Sequence, residues 1–247
     1  MASLLPLKVK KYQGFTLVEM LITMAVMVIV FLAIGNVLNT MIKTSNTVSS
    51  RMLVREEGEY LAEVFRKYIR NSSTDNVKLY FRDSPTISFN NYQVEGIGGD
   101  VVEYNEADTE SFATEMHFRP SAEATDRVVC IGFFMDGQDD TKGYIVRSVT
   151  RFSGSLSVAY EPGNCFPSGP LFGQDFSKNF VVLNSDLVYI DGLEISRNNT
   201  TTNSYYTINV DMQPSWGVGG LSNYRSPDGS PTYRKSFVLQ TRQILHR

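Results

Sequence analysis

Hydrophobic and polar positions fall into three regimes along the chain. Residues Met20 to Ile42 carry no charge, and Met20 to Leu38 is almost wholly apolar. A helix of that length, rising about 1.5 Å per residue, crosses a hydrocarbon core about 30 Å thick. Further on, Met41, Val48, Met52, Leu61, Val64 or Phe65, and Tyr68 recur at helical spacing. Opposite them stand Arg51, Arg55, Glu56, Glu57, Glu59, Glu63, Arg66 and Lys67. This pattern predicts an amphipathic continuation of the helix to about Ile69, with the charges as a solvated face and a stop at Asn71-Ser72-Ser73. From Val77 onward the pattern changes to short alternating or β-branched runs separated by turn residues.

The predicted strands are Val77–Arg82, Thr86–Asn90, Val101–Tyr104, Thr114–Arg119, Val128–Met135, Tyr144–Phe152, Leu156–Tyr160, Phe180–Leu183, Leu187–Ser196, Tyr205–Met212 and Phe237–Leu245. Asp136-Gly137 and Lys142-Gly143 bracket a turn, which makes Val128–Phe152 a hairpin. Gly, Pro and Ser crowd residues 161–175 and 213–232, which read as long surface loops. The expected class is α+β, one long N-terminal helix packed on antiparallel sheet.

Charge sharpens the reading of the N-terminus. Lys8, Lys10 and Lys11 precede the apolar run, so the positive-inside rule places the N-terminus in the cytoplasm and everything after Lys43 outside. An ordinary signal peptide would have a shorter apolar stretch, and a plain signal anchor fits the hydropathy as well. Neither explains Glu19, an acid at the threshold of hydrocarbon, where a carboxylate costs a few kcal/mol and is expected to have a partner. Snorkelling to the interface is the simpler alternative for it.

The residues around Glu19 read Lys10-Lys11-Tyr12-Gln13-Gly14-Phe15-Thr16-Leu17-Val18-Glu19. This stretch closely resembles the type IV pilin and pseudopilin superfamily, whose signature is a basic leader, Gly, Phe-Thr-Leu, one apolar residue and Glu. The resemblance implies a leader at 1–14, a transmembrane assembly helix at 15–42, its amphipathic continuation at 43–72 and an extracytoplasmic β-rich domain at 73–247. It implies cleavage by a prepilin peptidase between Gly14 and Phe15, N-methylation of Phe15, and a charge pair between the new amine at Phe15 and Glu19. The implied partners are that peptidase, other minor and major pilins, and an inner-membrane assembly platform. The implied place is the cytoplasmic membrane and then a cell-surface filament. Major pilins usually carry proline where this chain has Asn36, after Gly35, which favours a minor subunit. Domain size, the Arg/Glu-rich second half of the helix and the closing strand from Ser236 look most like J-type pseudopilins or W-type minor pilins. Glu19 argues against the K-type tip subunit, which characteristically lacks that acid.

Composition adds limits. There are 23 Lys and Arg against 26 Asp and Glu. Loss of the three leader lysines would leave a net charge of about −6, so whole-molecule charge gives no argument for nucleic acid. Cys130 and Cys165 are an even pair for an extracytoplasmic domain. They form a disulfide closing a loop of about 35 residues, or stay as two buried thiols. His117 and His246 lie at no metal-site spacing from either cysteine, so neither metal nor cofactor is expected, and no motif of an enzyme occurs. The acidic run from Asp136 to Asp140 departs from an EF-hand and suits a turn. Trp216, with Tyr224, Arg225, Tyr233, Arg234 and Lys235, mixes aromatics and cations near the C-terminus. That mixture is the candidate surface for a tip partner, a host surface or single-stranded nucleic acid. A tryptophan pinning a long loop is the plainer reading.

Overall fold

A computed structural model describes residues 16–90, 93–104, 112–120, 127–139, 141–151, 165–170, 180–199, 204–215 and 233–240. The chain divides into two compact units, one ending at Ser49 and the other beginning at Ser50.

Among the described residues, one helix, α1, runs from Leu17 to Asn71. In the first unit its large apolar side chains are exposed from Leu17 to Ile42, and it is the helix long and apolar enough to cross a membrane. Several of its threonines turn their hydroxyls back on the backbone. Thr23 Oγ1 donates to the Met20 carbonyl, and Thr40 Oγ1 to that of Asn36, each at 2.9 Å. Such back-bonding leaves no hydroxyl hydrogen unsatisfied in lipid. The helix continues without interruption through Gly35 and Asn36.

In the second unit the helix buries Val54, Gly58, Leu61, Ala62, Phe65 and Ile69. These positions keep a period near 3.6, and two of them are Gly and Ala. Of the predicted apolar face, Leu61 and Phe65 are buried and Val64 and Tyr68 pack against the core, whereas Met52 is 62 % exposed. Small residues carry this stripe because neighbours come close: a Cβ on Gly58 would stand 3.0 Å from Met212 Cε.

Ten strands follow. They are β1 (Ser72–Asn90), β2 (Gln93–Glu103), β3 (Glu115–Pro120), β4 (Arg127–Asp136), β5 (Gly143–Arg151), β6 (Gly169–Pro170), β7 (Phe180–Val182), β8 (Val188–Asn199), β9 (Ser204–Pro214) and β10 (Tyr233–Gln240). The first seven form one sheet in the order β6-β2-β1-β3-β4-β5-β7, and the last three another in the order β10-β9-β8. The two predicted runs at 77–82 and 86–90 are one long strand, β1. Its first part pairs with β3; its far end meets β4 in a short parallel contact, Thr86 opposite Met135. The predicted hairpin is β4–β5. The predicted loop at 161–175 contains a short strand, β6, which pairs with β2. The run Leu156–Tyr160 and the end of the closing strand, 241–245, lie outside the described residues.

Among the described residues, two apolar clusters result. The larger joins the helix, through Leu61, Phe65 and Ile69, to Leu79, Phe118 and Ile131 of the large sheet and to Ile190, Ile208 and Met212 of the small one. The smaller covers the other face of the large sheet with Val128, Cys130, Phe134, Val146, Cys165 and Phe166. The sheets meet where Gly143 faces Ile190, whose carbonyl would lie 1.9 Å from any Cβ added there. Asn184 is buried beside this junction, accepting from Ile145 N at 2.8 Å and donating to the Val188 carbonyl at 2.8 Å.

Candidate functional site

The N-terminal site is built by a helix cap. Thr16 N and Thr16 Oγ1 each donate to Glu19 Oε2 at 2.9 Å, and Glu19 N donates back to Thr16 Oγ1 at 3.3 Å. This is a capping box: two backbone donors that a helix start leaves without intrahelical partners are satisfied reciprocally. The acid also sits in the first turn, where the helix dipole favours negative charge. Glu19 therefore has a local role that the sequence reading missed, although the Thr-x-x-Glu spacing before an apolar run was its signal. Its carboxylate is held at the amide of the residue following Phe15. Gly14, Phe15 and the lysines Lys8, Lys10 and Lys11 lie outside the described residues.

The helix's charged face is less solvated than expected. Glu57 accepts from Ser185 N at 2.9 Å and from Ser185 Oγ at 3.2 Å. Glu59 pairs with Lys235, which holds its carboxyl below the ordinary range. Two acids of that face thus fasten the helix to the β structure.

The C-terminal candidate surface is partly engaged inside the chain. Arg234 binds Asp211 bidentately at 2.7 and 2.6 Å and reaches Glu194 at 3.4 Å. These anions raise its pKa, chiefly through the Asp211 bonds. Lys235 is committed to Glu59. The backbone of Tyr233 opens β10; Trp216, Tyr224 and Arg225 lie outside the described residues.

A third cluster was not anticipated. Cys130 and Cys165, 35 residues apart, are joined as a disulfide. His117 is directly opposite Cys130 across β3–β4. Its ring packs 4.5 Å from that of Tyr80, and its Nε2 lies 3.2 Å from Glu115 Oε2. Glu115 is paired through Oε1 with Arg82 Nε, and all three side chains are fully buried. Arg82 also donates to the carbonyls of Gly99 and Phe166, each at 2.9 Å, and to Ser168 Oγ at 3.2 Å. One arginine thus links β1, β2, β3 and residues 165–168. No spacing rule finds such a group, because its members meet only after the sheet has formed. The acidic turn has its own partners: Asp139 Oδ1 accepts from Thr141 N at 3.1 Å, and Asp139 Oδ2 meets Lys142 Nζ at 2.9 Å. Hydrogen bonds from Lys142 and Thr141 lower the Asp139 carboxyl to about 2.

A long apolar N-terminal helix followed by antiparallel sheets is the α+β architecture of a pilin-like protein. Residues 9–35 match the family described as the prokaryotic N-terminal methylation motif, which puts this segment with the type IV pilins and pseudopilins. That class is structural rather than enzymatic, and its motif implies processing by a prepilin peptidase and assembly with other pilins. No curated protein and no solved structure matches the chain.

Proposed function

We propose that this chain is a minor pilin or pseudopilin that helps to initiate, or joins, a type IV pilus or related filament. The observation that carries the reading is the unbroken series Gly14-Phe15-Thr16-Leu17-Val18-Glu19 at the head of the apolar helix, within the methylation-motif match. Cleavage after Gly14 leaves the helix attached and creates a cation at Phe15, the residue before Thr16, whose amide the Glu19 carboxylate accepts from. A buried amine and a buried carboxylate are each costly alone and tolerable together, so a subunit entering the filament would be selected for the register that pairs them. The positive leader keeps the peptidase site cytoplasmic and the β structure outside.

Mass spectrometry of the N-terminal peptide from native cells tests the processing. A peptide beginning at methylated Phe15 supports the reading; one retaining Met1 in cells with active prepilin peptidase removes it. Glu19→Ala should sharply lower recovery of the subunit in sheared filaments while leaving its membrane level near wild type. Equal incorporation of the variant would count against the register role.

A further inference from the structure

We propose that the reduced chain binds one zinc-class divalent ion through Cys130, Cys165 and His117, a site that the disulfide closes. One ring nitrogen of His117 and the two sulfurs lie within 4.8 Å of one another, and all three residues are buried. The histidine is set up as a ligand. Glu115 Oε2 lies 3.2 Å from His117 Nε2, and a hydrogen bond donated there leaves the ring's lone pair on Nδ1. Among the described residues, Nδ1 is buried with no hydrogen-bond partner. A buried acceptor without a donor is an uncompensated cost in the disulfide state, and a metal ion would remove it. A carboxylate on the far nitrogen is also what orients a metal-bound imidazole and raises its basicity.

The backbone suits the same ion. The cysteine Cα atoms are 6.0 Å apart, and His117 and Cys130 are cross-strand partners. Two thiolates and an imidazole favour zinc over oxygen-seeking cations, and three protein ligands leave one tetrahedral position open. Binding exchanges two thiol protons for the ion; the disulfide uses the same two sulfurs, so the two states exclude each other.

The test uses the full chain in detergent, reduced under anaerobic conditions by a phosphine, which takes up the disulfide's two oxidising equivalents as phosphine oxide. Cobalt(II) alone is then titrated in as a spectroscopic stand-in. We expect thiolate-to-cobalt charge-transfer bands that saturate at one ion per chain and disappear on adding zinc. The oxidised chain should show none. His117→Gln should weaken binding about tenfold or more, by loss of a ligand. Zinc should raise the thermal midpoint of the reduced wild type and not that of reduced His117→Gln. Absence of charge-transfer bands in the reduced chain overturns the proposal, and so does equal affinity in His117→Gln. The latter would mean that the thiols bind metal without a formed site.

Discussion

At the scale of residues, the second unit depends on a few buried polar groups whose partners are specific. Arg82→Met would leave Glu115 buried without its cation, at a cost of about 3–5 kcal/mol in chemical denaturation. Adding Glu115→Leu should recover part of that loss, because the cost lies in the unpaired charge; a double-mutant cycle measures it. Asp191 behaves in the opposite sense. It is the extra residue of a bulge in β8, between Ile190 opposite Met212 and Gly192 opposite Asp211. Burial, with the charge of Asp211, pushes its carboxyl up to about 6, against a hydrogen bond from Gln213. The unfolded group titrates near ~4, so between there and about 6 the folded state holds the extra proton. Its stabilising contribution is complete below the unfolded pKa and lost as pH rises through the folded one. Asp191→Asn should therefore stabilise the chain at pH 7 by about 1 kcal/mol, allowing for screening at a half-exposed site. Below about pH 4 the gain should vanish, and unfolding at both pH values checks it.

At the scale of elements, close approach is what the chain cannot vary. Gly143→Ala would force apart β5 and β8 at the Ile190 carbonyl and should cost about 2–3 kcal/mol. Gly192→Ala is the control, since its Cβ meets only Asp211 Oδ2 at 3.8 Å. Cys165 and Phe166 lie over the large sheet and Gly169–Pro170 pair at its edge, the segment being held by the disulfide, by Arg82 and by pairing with β2. Replacing both cysteines with serine should lower stability by about 3–4 kcal/mol from the loss of a 35-residue closure, measured by denaturant unfolding. Most of the strands were legible from alternation, because a half-buried strand writes its two faces into successive residues. The first half of β2 was not, because Gly96, Gly98 and Gly99 interrupt any pattern. The helix's buried stripe was legible at Leu61 and Phe65 but not at Gly58 and Ala62, core positions that a hydrophobicity reading passes over. The N-terminal site was legible as a motif, though its cap was overlooked. The His117 cluster is a tertiary product that leaves no trace in linear spacing.

At the scale of the whole molecule, one chain combines a membrane-compatible helix with a β-rich unit that has its own two-sided core. Helix α1 ends at Asn71 and β1 begins at Ser72, with no residue between them. β1 has β2 on one side and β3 on the other, both antiparallel. Once the packed turns of the helix gave way, tension would therefore enter the sheet at an internal strand. The ladder bonds lie across the strand axis, so a pull along β1 loads many of them in shear rather than peeling them one by one. A subunit wired in this way should resist extraction with a single high rupture force, limited by the unfolding barrier. Single-molecule pulling from the helix end would show this, and a gradual low-force release would refute it. Mechanical strength would then be set by where the helix enters the sheet, independently of how stable the unit is at rest.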